Sequence, residues 1–251
     1  MKAILETESL NRSFGMVVAA NDINLTVNQG EVVGIVGTNG SGKTTLINLI
    51  TGYLQPSSGE IRFEGENITG LPIRKVIALG IARSFQIPQL FTDLTVLENM
   101  LVAVATRTGK SWDFWNRLDE KLWVEEALGL LTQFGFDNEA RQVVANLPEG
   151  SRKLLDVAIS FVLKPKLLLM DEPTSGVSAK DKFAVMDALL NALKNAGVTT
   201  VFIEHDIEIV ERYAERALAF DNGRVIADGP VDVVLADPSV RQAVLGVEDS
   251  A

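Results

Sequence analysis

The sequence predicts an α/β fold with a parallel β-sheet core, an antiparallel β subdomain and a helical subdomain. Three short apolar runs, at residues 32–36, 167–170 and 198–203, have the composition of buried parallel strands. Each run is followed directly by glycine, acidic or histidine residues. Because open α/β sheets bind ligands at the carboxyl ends of their strands, we expect these three strand ends to form one shared site.

The antiparallel β subdomain is predicted from the alternation of polar and apolar residues. This alternation covers residues 1 to about 30 and 58–68, and it is typical of strands with one buried face. Further along the chain, Asn222-Gly223 separates two strand-like runs and predicts a tight hairpin turn. Antiparallel elements are therefore expected beside the parallel core.

The segment from about residue 88 to 163 is mainly helical in its patterning. Thr95 and Glu98 have the spacing of a capping box at a helix start, and apolar residues recur at helical intervals over residues 151–163. We expect the tryptophans of this segment to pack inside it, with a partner-facing patch as the alternative. They are Trp112, Trp115 and Trp123.

The composition excludes several classes of function. The chain has 251 residues, is 47% hydrophobic and carries a formal net charge of −10 without a basic cluster, so nucleic acid is not expected as a partner. The absence of cysteine excludes disulfides, thiol chemistry and cysteine metal sites. The N-terminus becomes acidic before an apolar run long enough for a signal peptide, and no stretch reaches the roughly 18 apolar residues of a membrane span. We therefore expect a protein that is not exported and that reaches a membrane only through another protein.

A glycine-rich segment directly after the first predicted strand matches the phosphate-loop pattern GxxxxGK[ST]. In such a loop, successive backbone N–H groups converge on the phosphates, and the following helix adds the positive end of its dipole. The lysine supplies a charge for the β and γ phosphates, and the final hydroxyl is the expected Mg²⁺ ligand. The sequence therefore predicts a P-loop NTPase core. The loop residues are Gly37, Thr38, Asn39, Gly40, Ser41, Gly42, Lys43 and Thr44.

Acidic residues and the only histidine follow the other two predicted strands. Asp171 and Glu172 end the second strand, where alternation aims neighbouring side chains in different directions. Asp171 is thus expected to hold the Mg²⁺ shell while Glu172 faces the attacking water. His205 ends the third strand at the same sheet edge, where it can reach both the γ-phosphate and Glu172.

The order and spacing of these motifs resemble those of the ABC-type ATPases over nearly the whole chain. The resemblance implies that ATP is the nucleotide and that Thr45 joins the loop residues in binding it. Gln86 resembles the family's Q-loop glutamine. That residue connects the site of Mg²⁺ and the γ-phosphate to the subdomain that contacts the transporter's membrane permease. Phe14 taken alone indicates a core residue, but it resembles the aromatic residue that stacks on adenine.

The resemblance also implies a division of the chain. We expect a single ABC ATPase domain over residues 1–251. Residues of about 1–87 and 164–251 would form the nucleotide-binding core with its β flank, and residues of about 88–163 the helical subdomain that carries the family's signature.

The signature itself departs from the family pattern. Residues 147–151, Leu-Pro-Glu-Gly-Ser, stand where Leu-Ser-Gly-Gly-Gln is common. In the family this segment completes the ATP site of a second ATPase subunit, which implies that Gly150 and Ser151 contact the partner's nucleotide. Pro148 lacks the usual hydroxyl, and residues 175–178 carry serine where the family's D-loop has aspartate. These departures imply a weaker site and leave open whether the subunits form a homodimer or an asymmetric heterodimer.

Within the family, residues 86–99 and 240–246 resemble the uptake group for hydrophobic and branched-chain amino acids, and the urea and lipopolysaccharide systems share parts of this pattern. The resemblance implies transmembrane permease subunits and, indirectly, a solute-binding protein as partners. It places the chain peripherally at the cytoplasmic face of the inner membrane. The alternatives are a soluble ABC ATPase of translation or DNA maintenance and a small-molecule kinase or GTPase.

Overall fold

The computed structural model describes residues 2–84, 88–108 and 120–245, and its centre is a six-stranded sheet. Five of the strands run parallel, whereas the edge strand β10 is antiparallel to its neighbour β9. The spatial order is β10-β9-β3-β8-β7-β6, so all three strands predicted as parallel are confirmed as adjacent members. The strands are β3 (Val32–Gly37), β6 (Ile81–Arg83), β7 (Leu167–Asp171), β8 (Thr199–Ile203), β9 (Arg216–Asp221) and β10 (Arg224–Pro230).

A second, four-stranded sheet is antiparallel and has the order β2-β1-β4-β5. It confirms the predicted β flank. The turn between β9 and β10 is confirmed as well, because Asn222 and Gly223 both have positive φ angles, of 46° and 77°. The strands of this sheet are β1 (Ala3–Phe14), β2 (Val17–Asn28), β4 (Ser58–Phe63) and β5 (Glu66–Asn67).

Three longer helices occupy the segment predicted to be helical: α3 (Val96–Thr108), α4 (Glu120–Gln133) and α5 (Glu149–Val162). The capping box at the start of α3 is present, since Thr95 N donates to Glu98 Oε2 at 2.7 Å and Glu98 N donates to Thr95 Oγ1 at 3.2 Å. Trp123 packs against the hydrophobic core as predicted. Trp112 and Trp115 lie outside the described residues.

The remaining helices surround the two sheets. They are α1 (Lys43–Ile50), α2 (Ile73–Leu79), α6 (Lys182–Asn195), α7 (Ile207–Tyr213), α8 (Val231–Ala236) and the single turn α9 (Pro238–Val240), with short helical turns at Val144–Asn146 and Arg241–Leu245. Among the residues placed by the structure, no helix combines the length and apolarity needed to cross a membrane.

The parallel sheet separates two hydrophobic clusters. On β7, Leu168 and Met170 face the cluster that includes the helical segment, whereas Leu167 and Leu169 face the cluster formed with α1 and the antiparallel sheet. This alternation explains why β7 has no polar position before its carboxyl end, since both faces are buried. The polar residues of the site therefore begin where the strand leaves the core.

Candidate active site

The predicted phosphate loop connects β3 to α1 and is packed tightly against two neighbouring strands. A side chain at Gly37 would collide with the carbonyl oxygen of Phe220 in β9, and one at Gly42 would collide with that of Ala19 in β2. Gly42 also has a φ of 106°, in the region that favours glycine. Only glycine therefore permits this path of the backbone at both positions.

Lys43 is 5% exposed, and its ammonium group lies inside the loop. Its Nζ donates hydrogen bonds to the carbonyl oxygens of Gly37 and Thr38, both at 2.8 Å. Burial lowers the pKa of Lys43, and the carboxylates of Glu172 and Asp171 oppose this shift. The Lys43 ammonium group is thus a positive charge held inside a loop that can bind an anion.

The other loop residues leave polar groups available. Asn39 and Gly40 are exposed at the tip of the loop. Ser41 is buried, and its Oγ has no hydrogen-bond partner within the described part of the chain. Thr44 and Thr45 lie in the first turn of α1, with Thr44 exposed and Thr45 half-buried. A ligand rich in oxygen atoms would give the buried Ser41 hydroxyl a partner.

Asp171 ends β7 and is buried at 2% exposure. Its Oδ1 lies 3.5 Å from Thr44 Oγ1, and its Oδ2 accepts a hydrogen bond from Arg83 Nη2 at 2.9 Å. Arg83 also donates to Asn48 of α1. The structure therefore brings together Thr44 and Asp171, two of the oxygen ligands predicted for Mg²⁺, and carboxylate and hydroxyl oxygens suit this ion.

Glu172 directly follows the last residue of β7, where the backbone no longer has strand geometry. It has a positive φ of 52°, a conformation that is strained for residues with a side chain and that occurs often at functional sites. Its Oε1 lies 2.8 Å from His205 Nε2. The His205 side chain is 39% exposed and that of Glu172 16%, so this pair is accessible to solvent from one side.

Three buried charged residues around the site were not assigned a role from the sequence. Arg83 pairs with Asp171, and Lys153 of α5 donates to the carbonyl oxygen of Glu172 at 3.4 Å. Glu204, which is 3% exposed, lies between β8 and His205. Burial lowers the pKa of Lys153 and raises that of Glu204. Of these three residues, only Glu204 directly follows one of the apolar runs in the sequence, so only Glu204 could have been found from its position at a strand end.

Phe14 ends β1 and is 44% exposed, so its interpretation as a core residue is wrong. One face of its ring is covered by the guanidinium of Arg12, whose Cζ is 4.6 Å from the ring centroid. The same hairpin carries Ala19, whose carbonyl oxygen lies against Gly42 of the phosphate loop. Phe14 is therefore an exposed ring on the hairpin that packs against the phosphate loop.

The signature segment packs against another loop of its own chain. Gly150 and Ser151 lie in the first turn of α5, and a side chain at Gly150 would touch Val177. The start of α5 is therefore packed against the loop of residues 175–178. Gln86 lies outside the described residues.

Comparison with known proteins identifies the family. The family model described as "ABC transporter" matches residues 20–175. The chain belongs to the ABC transporter family. This ABC ATPase is the subunit that binds and hydrolyses ATP to power an ABC transporter, and subunits of this class work with transmembrane permeases. The comparisons give no support to the alternative of an ABC ATPase in translation or DNA maintenance.

Curated relatives cover nearly the whole ABC ATPase. The probable branched-chain amino acid transport ATP-binding protein LivG of Archaeoglobus fulgidus is 36% identical over 98% of this chain and 97% of its own length. The high-affinity branched-chain amino acid transport ATP-binding protein BraF of Pseudomonas aeruginosa is 32% identical, with 98% of each chain covered. The crystal structure of the ADP conformation of MJ1267, an ATP-binding cassette of an ABC transporter, superposes with a TM-score of 0.87 at 32% identity, covering 98% of this chain and 100% of that one.

Proposed function

We propose that this ABC ATPase powers an importer of branched-chain amino acids or closely related small solutes. The observation that carries the proposal is the similarity to branched-chain amino acid transport proteins over 97–98% of both chains. The proposal includes transmembrane permease subunits, a second ATPase subunit and, indirectly, a solute-binding protein. It places the chain peripherally at the cytoplasmic face of the inner membrane, as one ABC ATPase domain over residues 1–251 with a helical subdomain at about 88–163.

The phosphate loop is the proposed binding site for the phosphates of ATP. Its backbone N–H groups and the Lys43 ammonium would contact the phosphates, and the positive end of the α1 dipole adds to the attraction. The proposed adenine contact is the exposed ring of Phe14. The hydrogen bonds from Lys43 Nζ to two loop carbonyls hold the ammonium group inside the loop.

Thr44, Asp171 and Gln86 are the proposed Mg²⁺ ligands. Thr44 Oγ1 and Asp171 Oδ1 lie 3.5 Å apart, which supports their sharing one ion. Arg83 neutralises part of the Asp171 charge and keeps the carboxylate in place. Mg²⁺ bound here would offset the negative charge that develops on the phosphates.

Glu172 and His205 are the proposed catalytic residues beside Lys43. The Glu172 carboxylate would polarise the attacking water and accept its proton, and the contact with His205 holds this carboxylate in one orientation. The His205 side chain is exposed enough to reach a phosphate at the same edge. Water attack at the γ-phosphate would give ADP and inorganic phosphate.

A groove between the nucleotide-binding core and the helical segment is the proposed contact with the permease. It has a volume of about 390 Å³ and is lined mostly by apolar side chains. Four of the large hydrophobic residues that are exposed on the described surface line it, with 37–57% of their surface accessible. Apolar patches of this kind mark docking sites for other proteins. The four exposed hydrophobic residues that line the groove are Tyr53, Ile77, Phe91 and Val102.

Copurification with tagged chain from gently solubilised native membranes tests the proposal. We expect multi-span permeases and a second ATPase chain or copy among the proteins identified by mass spectrometry.

The variant Val102→Asp tests the groove. It should abolish copurification of the permeases, because a charge in the groove must be desolvated on docking. The control is Leu128→Asp, on α4 and outside the groove, since Leu128 and Val102 have similar exposures of 40% and 39%. The proposal would be contradicted if the unmodified chain copurified with soluble or ribosomal partners only. It would also be contradicted if both variants lost the permeases to the same extent.

A further inference from the structure

Glu204 lies between β8 and His205, and its buried carboxylate contacts both its own loop and the loop that follows β7. Its Oε1 accepts hydrogen bonds from Thr174 N at 2.8 Å and from Thr174 Oγ1 at 2.7 Å. Its Oε2 accepts from His205 N at 3.2 Å. One side chain thus joins the loop that begins at Glu172 to the loop that carries His205.

These contacts bear directly on the pair formed by Glu172 and His205. Thr174 is two residues beyond Glu172, and Glu172 N donates to the Ile203 carbonyl at 3.0 Å at the base of both loops. The strand ladder therefore fixes the loops at their base, and Glu204 fixes them one step further out. Without this second connection, the 2.8 Å contact between Glu172 Oε1 and His205 Nε2 would depend on two independently moving loops.

Packing alone does not account for a carboxylate at this position. Glu204 is 3% exposed, and burying a charged group is unfavourable unless hydrogen bonds compensate for the lost water. An apolar side chain would fill the same space at a lower cost in desolvation. The specific property that glutamate adds is its two acceptor oxygens: Oε1 bonds to Thr174 in the other loop, and Oε2 bonds to the backbone N–H of the next residue, His205.

We propose that Glu204 is a positioning residue for hydrolysis, which sets the orientation of Glu172 relative to His205 through its bonds to Thr174 and to the His205 backbone. This inference rests on the catalytic roles proposed above for Glu172 and His205. Glu204 itself touches neither substrate nor metal in this account. Its loss should therefore lower the rate of the chemical step without weakening the binding of ATP.

The first test is Glu204→Gln in the membrane complex, with kcat and KM for ATP measured separately. The amide keeps the shape of the side chain but replaces one acceptor with a donor, so either the Thr174 or the His205 contact is lost. We expect kcat to fall about 10-fold while KM for ATP changes by less than about twofold, the pattern of a defect confined to the transition state. A normal kcat would overturn the inference.

The matched control is Glu31→Gln, at the opposite end of the sheet. Glu31 precedes β3, its side chain is 14% exposed, and it accepts hydrogen bonds from Asn28 N and Asn28 Nδ2, both at 2.8 Å. The control thus changes a largely buried carboxylate that accepts a hydrogen bond from a backbone N–H group, at a position far from Glu172 and His205. Melting temperatures of both variants show their stability, and kcat should fall only for Glu204→Gln. Equal losses of kcat would mean that Glu204 has a structural role alone.

A double-mutant cycle with His205 separates this inference from the proposed function. If Glu204 acts through His205, adding Glu204→Gln to His205→Ala should lower kcat by less than about twofold further. A full additional loss, with His205→Ala itself impaired, would overturn the role of Glu204 and leave the proposed function intact. An unimpaired His205→Ala would overturn the catalytic role of His205 and, with it, this inference.

Thr174 provides a second pair of variants if Glu204→Gln does not fold. Thr174→Val is similar in volume but removes the hydroxyl that donates to Glu204, whereas Thr174→Ser retains it. We expect a reduced kcat in the valine variant and recovery of most of the activity in the serine variant. Identical activities of these two variants would contradict the proposed connection.

Discussion

Replacing Glu172 with Gln should leave ATP binding intact and lower the rate of ATP hydrolysis by about 1,000-fold. The amide has almost the same size as the carboxylate and can keep a hydrogen bond to His205 Nε2, so the site retains its shape. It cannot accept a proton from the attacking water, because its basicity is far too low. ATP affinity and kcat measured on the same preparation check both parts of this expectation.

The control for this variant is Glu208→Gln at the start of α7. Glu208 lies at the same sheet edge, pairs with Lys182 at 3.1 Å and has a side chain that is 73% exposed. Neutralising an exposed carboxylate of this kind should change kcat by less than about twofold. Unchanged hydrolysis in Glu172→Gln would remove Glu172 from the catalytic role.

Replacing Lys43 with Ala should weaken ATP binding by about 100-fold, since hydrogen bonds to charged groups contribute ~1.5–3 kcal/mol each. Lys43 is buried inside the phosphate loop, and its two carbonyl contacts hold the ammonium group in place. Without it, the loop presents only backbone dipoles to several negative charges. Titration with a fluorescent ATP analogue measures the change in Kd.

Lys166→Ala is the matched control for the loss of a lysine. Lys166 forms an ion pair with Glu64 at 2.5 Å on the surface, and its side chain is 53% exposed. ATP affinity in this variant should equal that of the unmodified chain. The role of Lys43 in phosphate binding is contradicted if both lysine variants bind ATP equally well.

Local patterns were sufficient to predict the elements that place the site. Each apolar run of the parallel core is a strand buried on both faces, so its composition follows directly from its surroundings. The Asn222-Gly223 turn and the capping box at Thr95 depend on backbone conformation and near neighbours, which a sequence of a few residues specifies. The carboxyl ends of parallel strands lie at the same edge of the sheet. The proximity of Asp171, Glu172 and His205 therefore followed from their positions at strand ends.

Tertiary contacts between distant segments account for what the sequence did not reveal. Arg83 pairs with Asp171 across 88 positions, and Glu204 accepts from Thr174 across 30. No spacing rule connects residues so far apart, because their proximity depends on strand order. Only the resemblance to the family indicated that Phe14 contacts a ligand, because the residue taken alone indicated a core position. Phe14 lies in the end of β1 that pairs with β2 alone, because the pairing of β1 with β4 reaches only to Asn11.

Transport by the reconstituted complex shows whether hydrolysis at this site powers the movement of a solute. The complex purified through the tagged chain would be placed in proteoliposomes with its solute-binding protein, with ATP and Mg²⁺ on the side that exposes the ATPase. Uptake of radiolabelled leucine would be compared between the unmodified chain and Glu172→Gln. We expect ATP-dependent uptake with the unmodified chain and none above background with the variant. Uptake at the same rate in both would contradict this expectation.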